Sequence, residues 1–202
     1  MPLDLAAMET LAEACAPAVA PPTLLAIGQV ESGLDPLVIG VNGLSPRRLS
    51  FKTPATAASA ARQLIARGAN IDLGLGQINV RNLARLGLSV EGAFDPCRNL
   101  TASAEVLVAG YLRAAPGVGQ EQEGLRTALS YYNTGGPDRG FANGYVARVT
   151  TAAGRIVPAL GAPYPPPTRR SEPSRTTRPA WAVFGDAPSQ PFVLTPSHGA
   201  SR

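Results

Sequence analysis

Between residues 5 and 157 apolar side chains return every three or four positions, and Gly or Pro cuts each run within a few turns. A chain patterned this way folds as a set of short helices. Leu5, Met8, Leu11, Ala12 and Cys15 predict an amphipathic helix with Cys15 near its end. After Pro21 and Pro22, Leu24, Leu25, Ile27 and Val30 occupy more than one side, which predicts a largely buried helix. "TPATAASAARQLIARG" supplies Thr53 as N-cap, Pro54 at the first helical position and Gly68 as a stop. Leu107, Val108, Tyr111 and Leu112 face inward on a longer helix, as do Leu125, Ala128, Leu129 and Tyr132 on the next. "NVRNLARLG" reads as a short helix and "FANGYVARVTTAAGRIV" as one last helix carrying Tyr145, Val149, Ala152 and Ile156 inward. Only "VNGLSPRRLSF" alternates loosely between turn residues, predicting a small β-hairpin. The fold class is mainly α, without βαβ alternation or internal repeats.

From Pro163 the pattern stops. Nine of the 20 prolines fall in residues 163–202, which lack the apolar periodicity needed to offset the entropy of ordering. The expected organisation is one folded domain over residues 1–162 and a Pro/Arg-rich disordered tail over 163–202. Charge follows the same division, with 13 Lys and Arg against 12 Asp and Glu before the boundary and five against two after it. A nearly neutral body has no phosphate-tracking face, so no nucleic acid is expected as partner. No apolar run approaches the roughly 20 residues of a membrane span, and Asp4, Glu9 and Glu13 interrupt what an export signal would need.

The single histidine, His198, sits in the tail, and the only cysteines are Cys15 and Cys97. Triad chemistry and His-rich metal sites are thereby disfavoured, and no metal or cofactor is expected. Composition leaves the two cysteines open, either as a disulfide or as buried free thiols. A carboxylate is the remaining catalyst, and Glu31 has the most distinctive setting. It follows Val30 in the buried helix and is cut off by Gly33, where desolvation and the negative end of the helix dipole both raise its pKa. A glutamic acid protonated near neutral pH suits general-acid cleavage of a glycosidic bond. Spacing alone favours the plainer alternative, a surface glutamate paired with an arginine.

Two further stretches bear on that choice. "GLGQIN", residues 74–79, joins glycines to carboxamides, which suits close approach to a ligand rich in hydroxyl and acetamido groups. "ALSYYNTGG" gathers aromatic faces and hydrogen-bonding tips at a helix end, although core packing of Tyr132 and a helix cap at Asn133 account for it equally. In order, "ESGLDP", "GLGQIN", "ALSYYNTGG" and "GYVARV" resemble the motifs of the lysozyme-like soluble lytic transglycosylase family across roughly residues 5–157. "CAPAVAPPTLLAIGQVESGLDPL", "DLGLGQINVRNLARLGL" and "NTGGPDRGFANGYVARV" are similar to one branch, the peptidoglycan-cleaving component of bacterial type IV secretion and conjugation machines.

The resemblance implies a goose-type, lysozyme-like helical domain with a small hairpin. Its motifs imply Glu31 as the single catalytic acid and base, with Ser32, Gln77, Asn79, Tyr132 and Asn133 as substrate-binding residues and Tyr132 near the carboxylate. It also implies pairing of Cys15 with Cys97, and so a periplasmic location. Implied partners are peptidoglycan glycan strands and secretion or conjugation components, the latter through the tail. The implied reaction cleaves the β-1,4 bond between N-acetylmuramic acid and N-acetylglucosamine and closes a 1,6-anhydro ring. A hydrolytic muramidase and an inactive wall-binding scaffold of the same machine are the rival expectations. Two-carboxylate hydrolysis would need Asp35 or Asp72 as partner to Glu31. One departure stands out: the family usually has methionine where this chain has Gly76, which bears on the groove beside Gln77.

Overall fold

Short polar side chains set where three of the helices begin. Asp4 accepts the Ala7 N–H at 2.7 Å to start α1, Leu5–Cys15. Pro21 and Pro22 open α2, Pro21–Glu31, and Thr53 with Pro54 opens α3, Pro54–Ala66. Asp95 accepts the Arg98 N–H at 2.8 Å ahead of α4, Pro96–Ala114. Asp4, Thr53 and Asp95 each satisfy an amide that the first helical turn leaves without a partner, whereas α2 starts without a side-chain cap. The remaining helices are α5, Glu121–Thr134, the single turn α6, Arg139–Ala142, and α7, Tyr145–Ala159. The computed structural model describes residues 1–161 apart from 44 and 118. The expected tail, residues 163–202, lies outside the described residues.

Helix α2 is the hub. Its residues from Pro21 through Gly28 are buried, and it packs against α7 and α1, while α4 and α5 lie side by side. Met8, Leu24, Leu25, Leu107, Leu129, Tyr145 and Val149 belong to the resulting helical core. Burying a side chain such as Leu24 is worth about 2 kcal/mol, so this hub is a large part of what holds the end of α2 in place. Of the residues expected inward on α4, Leu107 is buried, whereas Leu112 is 50 % exposed.

The hairpin is present as β1, Val38–Val41, and β2, Arg47–Ser50, and it is half of a larger sheet. Two strands that the sequence does not announce, β3, Ile71–Leu73, and β4, Ile78–Asn79, complete an antiparallel order β2-β1-β3-β4. Three and two residues are too few for an alternating pattern to register. "GLGQIN" is therefore the turn between β3 and β4 together with β4. The expected helix in "NVRNLARLG" is one 3-10 turn, Val80–Asn82, followed by turns. The expected last helix breaks at Asn143–Gly144, where Gly144 has φ 75°. The sheet and α3 bury a second core around Ile39, Ala57, Ile71, Leu73 and Phe94. Among the described residues no helix is long and apolar enough to cross a membrane.

Cys15, ending α1, is bonded to Cys97 in the first turn of α4, with 5.3 Å between Cα atoms across 82 residues of chain. Closing a loop of that length removes unfolded-state freedom worth about 4 kcal/mol in the chain-entropy account. Replacing both cysteines by alanine is expected to lower stability by about 2–5 kcal/mol, read as an earlier urea midpoint. A midpoint matching the parent's under oxidising conditions would contradict that.

Candidate active site

Glu31 is the last residue of α2. Gly33 and Leu34 both take positive φ, 65° and 63°, so the chain turns off the helix axis immediately beyond the carboxylate. The half-buried side chain meets α7, where the Tyr145 hydroxyl donates to Glu31 Oε1 at 2.6 Å. That bond occupies one carboxyl oxygen and leaves Oε2 for a ligand. Burial pushes the carboxyl from 4.5 up to about 7. The Tyr145 hydrogen bond opposes that rise, the charge of Asp72 adds to it, and Arg48 and Arg148 act in the lowering direction. Arg48 of β2 donates to the main-chain carbonyl of Glu31, not to its carboxylate. The surface ion pair that spacing favoured is absent among the described residues.

A groove of about 780 Å³ runs from Glu31 between the sheet and the α4–α5 pair. Six carboxamides, Asn42, Asn70, Gln77, Asn79, Asn82 and Asn133, line it. Each carries both donors and an acceptor, the complement of a surface made of hydroxyl and acetamido groups. Arg113 and Tyr131 also line it, the guanidinium 4.4 Å from the ring centroid. Asp72 lines the groove as well, and its two oxygens accept separately from Asn79 Nδ2 and Asn42 Nδ2, each at 2.7 Å.

A buried amide anchors the loop beneath Glu31's groove. Asn99 of α4 donates from Nδ2 to the carbonyls of Leu73 and Ala93 at 2.9 and 2.8 Å, and its Oδ1 accepts the Gly76 N–H at 2.8 Å. The Tyr132 hydroxyl then donates to the Gly76 carbonyl at 2.7 Å. Gln77, at φ 49°, takes a conformation uncommon outside glycine, and its Nε2 donates to the carbonyls of Gly74 and Val38 at 2.8 and 3.2 Å. These bonds tie α4, α5 and the sheet to one turn.

Residues 9–152 match the transglycosylase SLT domain. The chain belongs to that family. Over 183 residues it is 40 % identical to protein virB1 of Agrobacterium fabrum, covering 91 % of this chain and 74 % of the relative. Over 151 residues it is 42 % identical to type IV secretion system protein virB1 of Brucella abortus, covering 71 % of this chain and 62 % of the relative. No solved structure matches. The enzyme class implied by the motifs, a transglycosylase, is that of the family.

Within this SLT domain the predicted site residues do not all meet. Glu31, Gln77, Asn79, Tyr132 and Asn133 line the groove. Ser32 does not: it is buried and its hydroxyl donates back to the Gly28 carbonyl at 3.1 Å, so it caps the helix and offers the groove nothing. Asp35 is likewise a structural carboxylate, accepting from the Leu37 N–H, the Ser50 hydroxyl and the N-terminal ammonium. Tyr132 stands close enough to Glu31 to feel its charge, while its hydroxyl donates to the Gly76 carbonyl. The hydrogen bond to the carboxylate comes from Tyr145. Its sequence signal is a buried tyrosine on an inner helical face, whose hydroxyl must find a partner. Gly76 has no room for the usual methionine, because a Cβ there would lie 2.0 Å from Ser103 Oγ and 2.6 Å from the Tyr132 hydroxyl.

Proposed function

We propose that this chain is a peptidoglycan lytic transglycosylase in which Glu31 serves first as acid and then as base. One arrangement carries the reading: a carboxyl that burial pushes up to about 7 stands on a carboxamide-bearing groove with one oxygen held by Tyr145. Such a group is partly protonated at neutral pH and can return as a base after giving up its proton. Glu31 protonates the β-1,4 oxygen between N-acetylmuramic acid and N-acetylglucosamine, and the C1–O bond breaks with its electron pair on that oxygen. The muramyl acetamido oxygen assists at C1. The 6-hydroxyl oxygen then closes on C1 while its proton passes to Glu31, leaving a 1,6-anhydro ring without consuming water.

The groove carboxamides hold acetamido and hydroxyl groups, and Tyr132 and Gln77 keep the turn beneath them in shape. The relative named a type IV secretion system protein supports a role in opening the wall locally for such a machine. The Cys15–Cys97 bond suits the periplasm, where disulfides persist. Residues 163–202 would carry contacts with that machine. A hydrolytic muramidase is the second reading, favoured by Asp72 in the groove as a carboxylate able to activate water. Mass spectrometry of purified peptidoglycan after digestion separates them. Anhydro-muropeptides are expected. Reducing ends in their place transfer the assignment to the muramidase, and a wall left intact leaves only the scaffold.

A further inference from the structure

We propose that Arg113, braced on the Tyr131 ring, binds the carboxylates of the peptide stems that wall glycans carry, and so selects stem-bearing strands for this groove. The assignment rests on the glycan-cleaving reading above and narrows its substrate class.

Helix periodicity and one glycine build the pair. Val106, Ala109, Gly110 and Arg113 recur at three and four residues along α4 and line the groove together. Gly110 lets α4 lie close against α5: a Cβ there would sit 3.0 Å from the Ala128 carbonyl oxygen and 3.1 Å from Tyr131 Cβ. Tyr131 is thereby brought against α4 within reach of its last turn, and the Arg113 guanidinium rests 4.4 Å from the ring centroid. A guanidinium held on an aromatic face has already lost part of its side-chain freedom, while its planar fork of N–H donors still suits a carboxylate.

That fork is unused within the fold. Among the described residues the ion pairs join Met1 with Asp35 and Arg62 with Glu91, and no hydrogen bond engages Arg113. The carboxyls of the groove are committed elsewhere, Glu31 Oε1 to Tyr145 and both Asp72 oxygens to Asn42 and Asn79. Arg85, in the turns after Val80–Asn82, adds a second exposed guanidinium to the lining. The groove therefore offers cations that its own anions do not neutralise.

The carboxamides answer the hydroxyl and acetamido groups of the sugars, which give a cation nothing to pair with. In a wall strand the muramyl lactyl carboxyl is spent in an amide bond, so the anions left are the carboxylates of the stem. A strand of N-acetylglucosamine alone carries none. The stem hangs from the muramyl C3 and not from the C1–O bond that breaks. Arg113 accordingly contributes binding shared by ground and transition states, which appears in KM and not in kcat.

The test takes the full chain as parent, Arg113→Gln and Arg113→Lys. Each acts on soluble stem-bearing strands and on the same strands with their stem carboxylates converted to amides. Dissociation constants are read in a Glu31→Gln background, so that no strand is consumed. For the parent, amidation should raise KM and Kd about fivefold. Arg113→Gln should show that rise already on native strands, no further rise on amidated ones, and a kcat within about twofold of the parent. Arg113→Lys keeps the charge without the fork and should fall between. A KM for Arg113→Gln within about twofold of the parent's on native strands overturns the assignment. A shifted urea midpoint beside that unchanged KM would make Arg113 a helix-end cation serving the dipole of α4. Equal losses on native and amidated strands also overturn it, since Arg113 would then hold sugar groups, and so does a loss confined to kcat. A parent that releases nothing from either strand is a different failure: it removes the glycan-cleaving reading, and the dissociation constants still decide Arg113 by themselves.

Discussion

Replacing Glu31 by glutamine is expected to lower peptidoglycan turnover by about 10³-fold while making the protein more stable. Glutamine keeps an oxygen for the Tyr145 hydroxyl but has no proton to give and cannot take one back. The stability gain follows from the carboxyl's surroundings. Its value is 4.5 when unperturbed and about 7 in the fold, so the folded state holds a proton that the unfolded state has released across that interval. The parent's stability from this group is intact below about pH 4.5, is lost as pH rises through about 7, and the loss totals about 2–3 kcal/mol after allowance for the face open to the groove. Glutamine does not titrate. The variant's melting temperature should therefore match the parent's near pH 4.5 and exceed it by several degrees at pH 8. Equal melting differences at both pH values would refute the buried-acid account, and undiminished wall cleavage would refute the catalytic one. In the parent, kcat/KM should fall as pH rises through about 7, since the protonated form starts the reaction.

Restoring the methionine usual at position 76 is expected to damage the protein, not improve it. Gly76 does not have a positive φ, so glycine is present for space alone. A Cβ must displace Ser103 Oγ, which donates to the Asn99 carbonyl at 2.8 Å, and the Tyr132 hydroxyl, which donates to Gly76 itself. Overpacking and the loss of those bonds together should cost Gly76→Met about 3–5 kcal/mol. Because Tyr132 and Asn99 also hold the turn under Gln77, activity should fall with stability. Adding Ser103→Gly should recover part of both by vacating the nearest atoms. Urea midpoints for the two variants decide it, and a Gly76→Met protein as stable as its parent would show that the turn yields more readily than its packing suggests.

Much of the helical half was legible. Thr53, Pro54 and Gly68 bound α3 where their chemistry says they should, and the all-round apolar pattern of residues 24–30 identified the buried hub. The sheet was legible only as a hairpin, because β3 and β4 are held by pairing across the chain and not by any local preference. Asn143 and Gly144 sit inside an otherwise continuous apolar period, which concealed the boundary between α6 and α7.

For the site, the sequence by itself singled out one candidate acid. With the only histidine in the tail, Glu31 at the end of a buried helix was the outstanding carboxyl, and its ordered companions pointed to the family. Tertiary structure alone decided what that carboxyl experiences. Tyr145 is 114 residues away along the chain, and the Asn42–Asp72–Asn79 cluster forms only when strands from three separate segments align. Desolvation and hydrogen bonding act through space, over a few ångströms, between residues whose separation in sequence carries no trace of that distance.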